Sequence, residues 1–167
     1  IIDPKMSFGT GFHESTRLML RLMDRWLQPG DRTLDVGTGT GVLAIAAIKM
    51  GASHAVGVDI DEWAEDNAGE NIARNAVEGK VDIAIGSVDK ADGTYDLILS
   101  NITRNDNISL LADYKRMLNP GGRILLSGLY THDEETMNAA CAEHGFSKAE
   151  QEIENEWTAL TYILDEK

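Results

Sequence analysis

Two aspartates and three glycines stand where the chain could bind a ligand. Asp35 precedes Gly37, Gly39 and Gly41 in the run LDVGTGTG, and Asp59 closes the apolar segment AVGV. Alternating glycines let the backbone turn tightly after a strand and approach a ligand closely. The helix that follows offers its free amides to polar ligand atoms. A carboxylate at the end of the next strand can accept hydrogen bonds from both hydroxyls of a ribose. The pattern predicts a cofactor that contains a ribose.

The elements that must position these residues alternate between strand and helix. Five strands are predicted at 32–36, 55–59, 81–85, 95–100 and 123–127. Five helices are predicted at 16–27, 42–50, 62–75, about 108–118 and 134–144, and a turn at 119–122. Two further strands, 146–153 and 157–164, are joined by only three residues, so they should pair antiparallel. The predicted fold class is α/β: a doubly wound, Rossmann-like, mostly parallel seven-stranded sheet with a C-terminal antiparallel hairpin. Ligands of such sheets bind beyond the carboxyl ends of the strands.

Two cofactor classes fit the glycine run. Gly39 to Ala44 matches the pattern G-x-G-x-x-A and Asp59 lies 20 residues after Gly39, as in nicotinamide-dinucleotide sites. A nicotinamide-dependent oxidoreductase therefore stays an alternative. Three features favour S-adenosylmethionine instead: Asp35 stands two positions before the first glycine, a hairpin ends the chain, and the loop Phe8-Gly9-Thr10-Gly11 precedes the first strand.

Asn101 follows the apolar run LILS at the end of the fourth predicted strand. An amide there offers a donor and an acceptor to a substrate amine or to the methionine end of the cofactor. The alternative is an asparagine that only begins a turn.

Other chemistries find little support in the sequence. The four histidines are scattered and none lies at metal-ligand spacing from a cysteine or carboxylate, so no metal site is predicted. Cys141 is the single cysteine and lies in a predicted helix, where it should be a small buried hydrophobic residue. No serine, histidine and aspartate follow a nucleophile-elbow pattern, so hydrolase chemistry is not indicated.

Size and charge restrict the class of protein further. The chain of 167 residues is 43% hydrophobic and 26% charged, which predicts one globular domain over 1–167. No apolar run approaches the roughly 20 residues that span a bilayer, and no secretory signal is visible, so a cytoplasmic location is expected. The net charge of −13 repels phosphate backbones, so no nucleic-acid binding is expected. It would attract a basic protein, although an acidic balance more commonly serves only to keep a domain soluble.

Four segments together resemble the bacterial ribosomal protein L11 methyltransferases, which belong to the class I methyltransferase fold and use S-adenosylmethionine. They are FGTGFHEST at 8–16, DVGTGTG at 35–41, GVDID at 57–61 and SNI at 100–102. The resemblance covers essentially the whole chain, and the first segment is its most family-specific part. It implies methyl transfer to lysine and N-terminal amines of ribosomal protein L11, the expected partner.

The resemblance also implies roles for individual residues. Thr16, Gly37, Asp59 and Asn101 match cofactor-contacting positions, and Asn101 would also orient the incoming amine as the catalytic residue. Gly39 and Gly41 complete the loop against the cofactor. Asp35 would brace the glycine loop or the methionine ammonium, and the loop at 8–11 would close over the methionine end together with Thr16.

Two departures from the family bear on the acceptor. Family members carry an N-terminal domain that grips the ribosomal protein and that this sequence lacks, so the chain is expected to be part of a longer one. Thr103-Arg104-Asn105 is also more polar than the residues usual in the family at those positions. A methyltransferase with another acceptor and a non-catalytic cofactor-binding module therefore stay alternatives.

Overall fold

The structure is a computed structural model that describes residues 13–166. Within that range, helices and strands alternate from α1 to β5, and α5, β6 and β7 follow. The helices are α1 (Glu14–Trp26), α2 (Val42–Lys49), α3 (Trp63–Arg74), α4 (Arg104–Met117) and α5 (Glu134–Glu143). The strands are β1 (Arg32–Val36), β2 (His54–Asp59), β3 (Val81–Ile85), β4 (Tyr95–Asn101), β5 (Leu118–Tyr130), β6 (Phe146–Glu154) and β7 (Trp157–Leu164).

All seven strands form one sheet in the order β3-β2-β1-β4-β5-β7-β6. The first five strands are parallel, and β7 runs antiparallel to both of its neighbours, β5 and β6. The predicted fold class is therefore confirmed, including the terminal hairpin. The strand order reverses beside β1, which pairs with β2 on one side and with β4 on the other. Ligands of open α/β sheets bind at such a switch point.

Helices cover both faces of the sheet because the strand side chains alternate. Ile98 faces a core that contains residues of α4 and α5, whereas its neighbours Leu97 and Leu99 face a core with α1 and α2. The helix α1 buries Leu18, Met19, Leu22 and Met23. These residues form the single apolar stripe of an amphipathic helix. The two layers hold the strand ends in fixed positions.

The structure corrects two predicted boundaries. The helix α4 begins at Arg104, four residues before the predicted start, because Thr103 caps it and its side chain accepts a hydrogen bond from the Asp106 amide at 3.3 Å. Its first turn is polar, so apolar periodicity does not detect it. The strand β5 begins at Leu118, which pairs with Tyr95, and the register shifts before Arg123 pairs with Leu97. The predicted turn at 119–122 is that irregularity.

Beyond residue 127, where the strand was predicted to end, β5 continues to Tyr130, which pairs with Trp157 of β7. No helix in the described range 13–166 combines the length and hydropathy needed to cross a membrane.

Candidate cofactor site

A cavity of about 570 Å³ opens at the carboxyl edge of the sheet. Its walls come from the glycine loop after β1, the end of β2, the residues after β3 and β4, and the first turns of α4. The sequence-predicted residues that line it are Thr16, Gly37, Gly39, Asp59 and Asn101. Asp35 and Gly41 do not line it. The fold thus brings together five residues that are up to 85 positions apart in the sequence.

The carboxylate of Asp59 is fixed by two backbone amides. Its Oδ2 accepts a hydrogen bond from the Gly39 amide at 2.8 Å, and its Oδ1 accepts one from the Asp61 amide at 2.9 Å. A carboxylate has about four acceptor positions, so both oxygens can still accept from a ligand. The first bond also ties the glycine loop of β1 to the end of β2, so ligand contacts with either would be coupled.

Gly37 allows the loop after β1 to approach the segment after β4. Its φ of +73° lies in the left-handed region, and a Cβ at this position would lie 2.6 Å from Cγ2 of Ile102. The Gly37 amide also donates to the Val58 carbonyl at 2.8 Å. A side chain would therefore push the loop away from the 101–102 segment and widen the cavity.

Asp35 lies beneath the glycine loop and is 1% exposed. Its Oδ2 accepts a hydrogen bond from the Thr38 hydroxyl at 2.7 Å, so it braces the loop, one of its two predicted roles. Its Oδ1 makes no hydrogen bond of ordinary geometry, although the Ala44 amide favours the charged form. Burial dominates and raises the pKa of Asp35 to about 7, because a buried carboxylate loses hydration when it ionises.

Gly41 belongs to the glycine loop but does not line the cavity. It precedes α2, and a Cβ there would lie 3.1 Å from Cβ of Ala68 in α3. Its position therefore allows the two helices to pack closely. Contact of Asp35 and Gly41 with a cofactor stays a prediction.

Two residues that line the cavity each carry a buried side-chain oxygen with no hydrogen-bond partner among the described residues. These oxygens are Oγ1 of Thr16, in the first turn of α1, and Oδ1 of Asn101, at the end of β4. Ser127 holds the start of α1 beside β5, since its hydroxyl donates to the Ser15 carbonyl at 2.8 Å. Buried polar atoms are nearly always paired, so these two unpaired oxygens are exceptions, and both belong to residues of the cavity lining.

Sequence reasoning missed several residues at this site. Gly86 and Ser87, which follow β3, and Asp106 of α4 also line the cavity. The strand-end rule that located Asp59 and Asn101 applies equally to Gly86. Gly57 was also missed as a site residue: a Cβ there would lie 2.6 Å from the Thr38 hydroxyl oxygen, so it makes room for the side chain that binds Asp35.

The polar residues that follow Asn101 have structural roles of their own. Arg104 donates to Asp133 at 3.1 Å, and Thr103 caps α4, so the polar residues after Asn101 stabilise the start of that helix.

The loop Phe8-Gly9-Thr10-Gly11 lies outside the described residues. Within 13–166, no group of three histidine, cysteine or carboxylate side chains could hold a metal ion, and the absence of a metal in the protein stays a prediction.

The family follows from comparison with known sequences. The sequence model of the family described as ribosomal protein L11 methyltransferase (PrmA) matches residues 1–164. The chain belongs to this family. It is 38% identical over 159 residues to the ribosomal protein L11 methyltransferase of Thermotoga maritima, covering 95% of this chain and 60% of the relative. It is 42% identical over 167 residues to that of Thermus thermophilus, covering 97% and 63%. The chain thus spans about three fifths of the length of these relatives.

Solved structures confirm the class I methyltransferase fold of the chain. The crystal structure of a ribosomal protein L11 methylase from Lactobacillus delbrueckii subsp. bulgaricus superposes with a TM-score of 0.92 and 30% identity, covering 99% of this chain and 84% of that one. An RNA methyltransferase from Salinibacter ruber in complex with S-adenosyl-L-homocysteine superposes with a TM-score of 0.71 at 20% identity, covering 89% of both chains. The second likeness concerns the fold alone.

Proposed function

We propose that this protein transfers methyl groups from S-adenosylmethionine to amine nitrogens of ribosomal protein L11. The observation that carries the proposal is the Asp59 carboxylate, which the Gly39 and Asp61 amides hold in the lining of a cavity large enough for a cofactor. The acceptor is inferred from relatives named ribosomal protein L11 methyltransferase that match 95% or more of this chain.

The residues that line the cavity suit the parts of S-adenosylmethionine. Asp59 would bind the two ribose hydroxyls through charge-assisted hydrogen bonds. The loop from Gly37 to Gly39 would lie against the cofactor, and the unpaired Thr16 hydroxyl would bind its methionine end. Asp35 would hold the loop in place through Thr38.

Positioning is the main catalytic task of the protein in this proposal. The bound cofactor supplies a methyl carbon that its positive sulfonium already activates. Asn101 would orient the acceptor amine, since it lies at the end of β4 and lines the cavity. Alignment of two reacting groups can lower a barrier by several kcal/mol, with upper values of about 7–11.

The acceptor amine must lose a proton before it can react, because lysine has an ordinary pKa of about 10.4. No histidine of the described range lines the cavity, and we assign the proton to bulk water. This assignment leaves Asn101 as a group that orients the amine and does not take its proton.

The proposed function is tested by transfer of labelled methyl from S-adenosylmethionine to purified ribosomal protein L11 by the native gene product. Asn101→Ala should lower turnover more than cofactor affinity, because the lost contact matters most in the transition state. Asn105→Ala removes an exposed asparagine that does not line the cavity and should behave as the wild type.

Three outcomes would contradict parts of the proposal. Labelling of some other protein or of a small amine, with none in L11, would contradict the acceptor. Cofactor binding without transfer to any acceptor would indicate a non-catalytic module. Normal turnover and normal affinity in Asn101→Ala would show that this asparagine only begins a turn.

A further inference from the structure

Three polar side chains form a buried network beneath the end of β4. The Ser100 hydroxyl donates to Oδ1 of Asn107 at 2.7 Å. The Tyr114 hydroxyl is shared between Oγ of Ser100 at 3.0 Å and Oδ1 of Asn107 at 3.2 Å. All three residues are fully buried, and none lines the cavity. They lie between the sheet and α4, and in the described structure none of their side chains hydrogen-bonds to the residues assigned to the ribose or to the glycine loop.

The network is attached to the segment that carries Asn101 at three points, Ser100, Ile102 and Thr103. Ser100 is the direct neighbour of Asn101 in the chain. The Asn107 side-chain amide donates to the Ile102 carbonyl at 3.4 Å, and the Asn107 backbone amide donates to the Thr103 carbonyl at 3.0 Å. A change in the position of Asn107 must therefore move the backbone on either side of Asn101.

Backbone from two other elements confines the same segment. A Cβ at Gly37 would lie 2.6 Å from Cγ2 of Ile102. A Cβ at Gly128, at the end of β5, would lie 2.7 Å from the Ile102 carbonyl oxygen and 2.9 Å from Oδ1 of Asn101. The 101–102 segment is thus enclosed by the loop after β1, by β5 and by the network. The network is the only one of the three contacts formed by polar side chains in the described structure.

We propose that Ser100, Asn107 and Tyr114 are positioning residues that hold the segment of Asn101 and Ile102 at the geometry needed for methyl transfer. An apolar contact tolerates several side-chain arrangements, whereas a satisfied buried network favours a single one. The network therefore fixes the direction of the Asn101 side chain without contacting cofactor or acceptor. This inference rests on the proposed function.

The test compares two buried tyrosines. The Tyr114 hydroxyl contacts the end of β4 near Asn101, whereas the Tyr95 hydroxyl lies at the start of that strand. Tyr114→Phe removes the network hydroxyl and keeps the ring. Tyr95→Phe is the matched control, because Tyr95 is also fully buried and its hydroxyl donates to the Asp92 carbonyl at 2.8 Å at the opposite end of β4. Both variants lose one hydrogen bond and should unfold at similar, slightly lower temperatures.

In the native gene product, Tyr114→Phe should lower kcat by about tenfold with an unchanged KM for S-adenosylmethionine, since a shift of about 1 Å can cost up to about a hundredfold in rate. Tyr95→Phe should keep the wild-type kcat. In an Asn101→Ala background the effect of Tyr114→Phe should disappear, because the network acts through that side chain. An unchanged kcat in Tyr114→Phe, or an equal loss in both tyrosine variants, would overturn the inference.

Hydrogen exchange of the backbone amides in 101–107 gives a second measurement that needs no acceptor. Exchange there should be faster in Tyr114→Phe than in the wild type and unchanged in Tyr95→Phe. This result would support the positioning role of the network even if no acceptor were methylated. A lack of methylation would contradict only the proposed function. Equal exchange in all three proteins would show that the network does not hold the segment.

Discussion

Asp35 is an ionisable residue that the fold removes from water. Its carboxyl is buried beneath the glycine loop, and burial raises its pKa from 3.8 to about 7. The Thr38 hydroxyl lowers that pKa without offsetting the lost hydration. A neutral carboxyl at this site is therefore compatible with folding, whereas an ionised one is costly.

The stability of the protein should therefore depend on the ionisation of Asp35. Between pH 4 and 7 the unfolded state releases the Asp35 proton while the folded state retains it, so the free energy of unfolding falls as pH rises. The contribution is fully present below about pH 4 and lost above about pH 7, and the pKa difference corresponds to up to about 4 kcal/mol. Asp35→Asn removes the titration and keeps an acceptor for Thr38.

Urea unfolding of wild type and Asp35→Asn at pH 4, 6 and 8 measures this contribution. The stability of the variant relative to the wild type should rise across the series. A difference that stays constant from pH 4 to pH 8 would show that Asp35 titrates as it does in water.

At the level of elements, β5 packs closely against the 101–102 segment at the site. It contains two glycines in the left-handed region, Gly121 with φ of +72° and Gly128 with φ of +77°. Only Gly128 faces a neighbour, since nothing lies within 4 Å of a Cβ built at Gly121. A side chain at Gly121 would therefore cause backbone strain alone, whereas one at Gly128 would cause both strain and a steric clash.

Alanine substitutions at these glycines should have unequal effects. Gly121→Ala should cost about 1–2 kcal/mol, the strain of a left-handed residue. Gly128→Ala should cost at least about 1 kcal/mol more, because the new methyl would lie 2.7 Å from the Ile102 carbonyl oxygen. It should also lower methyl transfer. Denaturant unfolding measures both costs, and equal losses would contradict the close packing of β5 on the 101–102 segment.

The sequence located all seven strands because their apolar runs and turn residues are local signals. It also located Asp59 and Asn101, since both follow such runs directly. The start of α4 was placed too late because its first turn, Arg104 to Asn107, contains no apolar residue. The Ser100 network escaped prediction because its members lie 7 and 14 residues apart on a strand and a helix, a spacing that only the packed fold brings together.

At the scale of the whole molecule, the sheet order brings the site together. The carboxyl ends of β2, β1 and β4 lie side by side, so Asp59, the glycine loop and Asn101 line one cavity. The net charge of −13 suits a basic acceptor protein. The absence of direct nucleic-acid binding, predicted from that charge, stays a prediction.

The central claim is that this cavity binds S-adenosylmethionine through Asp59, and calorimetry with the demethylated product, S-adenosylhomocysteine, tests it most directly. Wild type should bind the product and give no heat with NAD. Asp59→Ala should bind at least tenfold more weakly, because two charge-assisted hydrogen bonds of about 1.5–3 kcal/mol each are lost. The control Asp82→Ala removes an equal charge from an exposed position of β3 outside the cavity and should bind as the wild type does. NAD binding without a response to S-adenosylhomocysteine, or unchanged affinity in Asp59→Ala, would contradict the account.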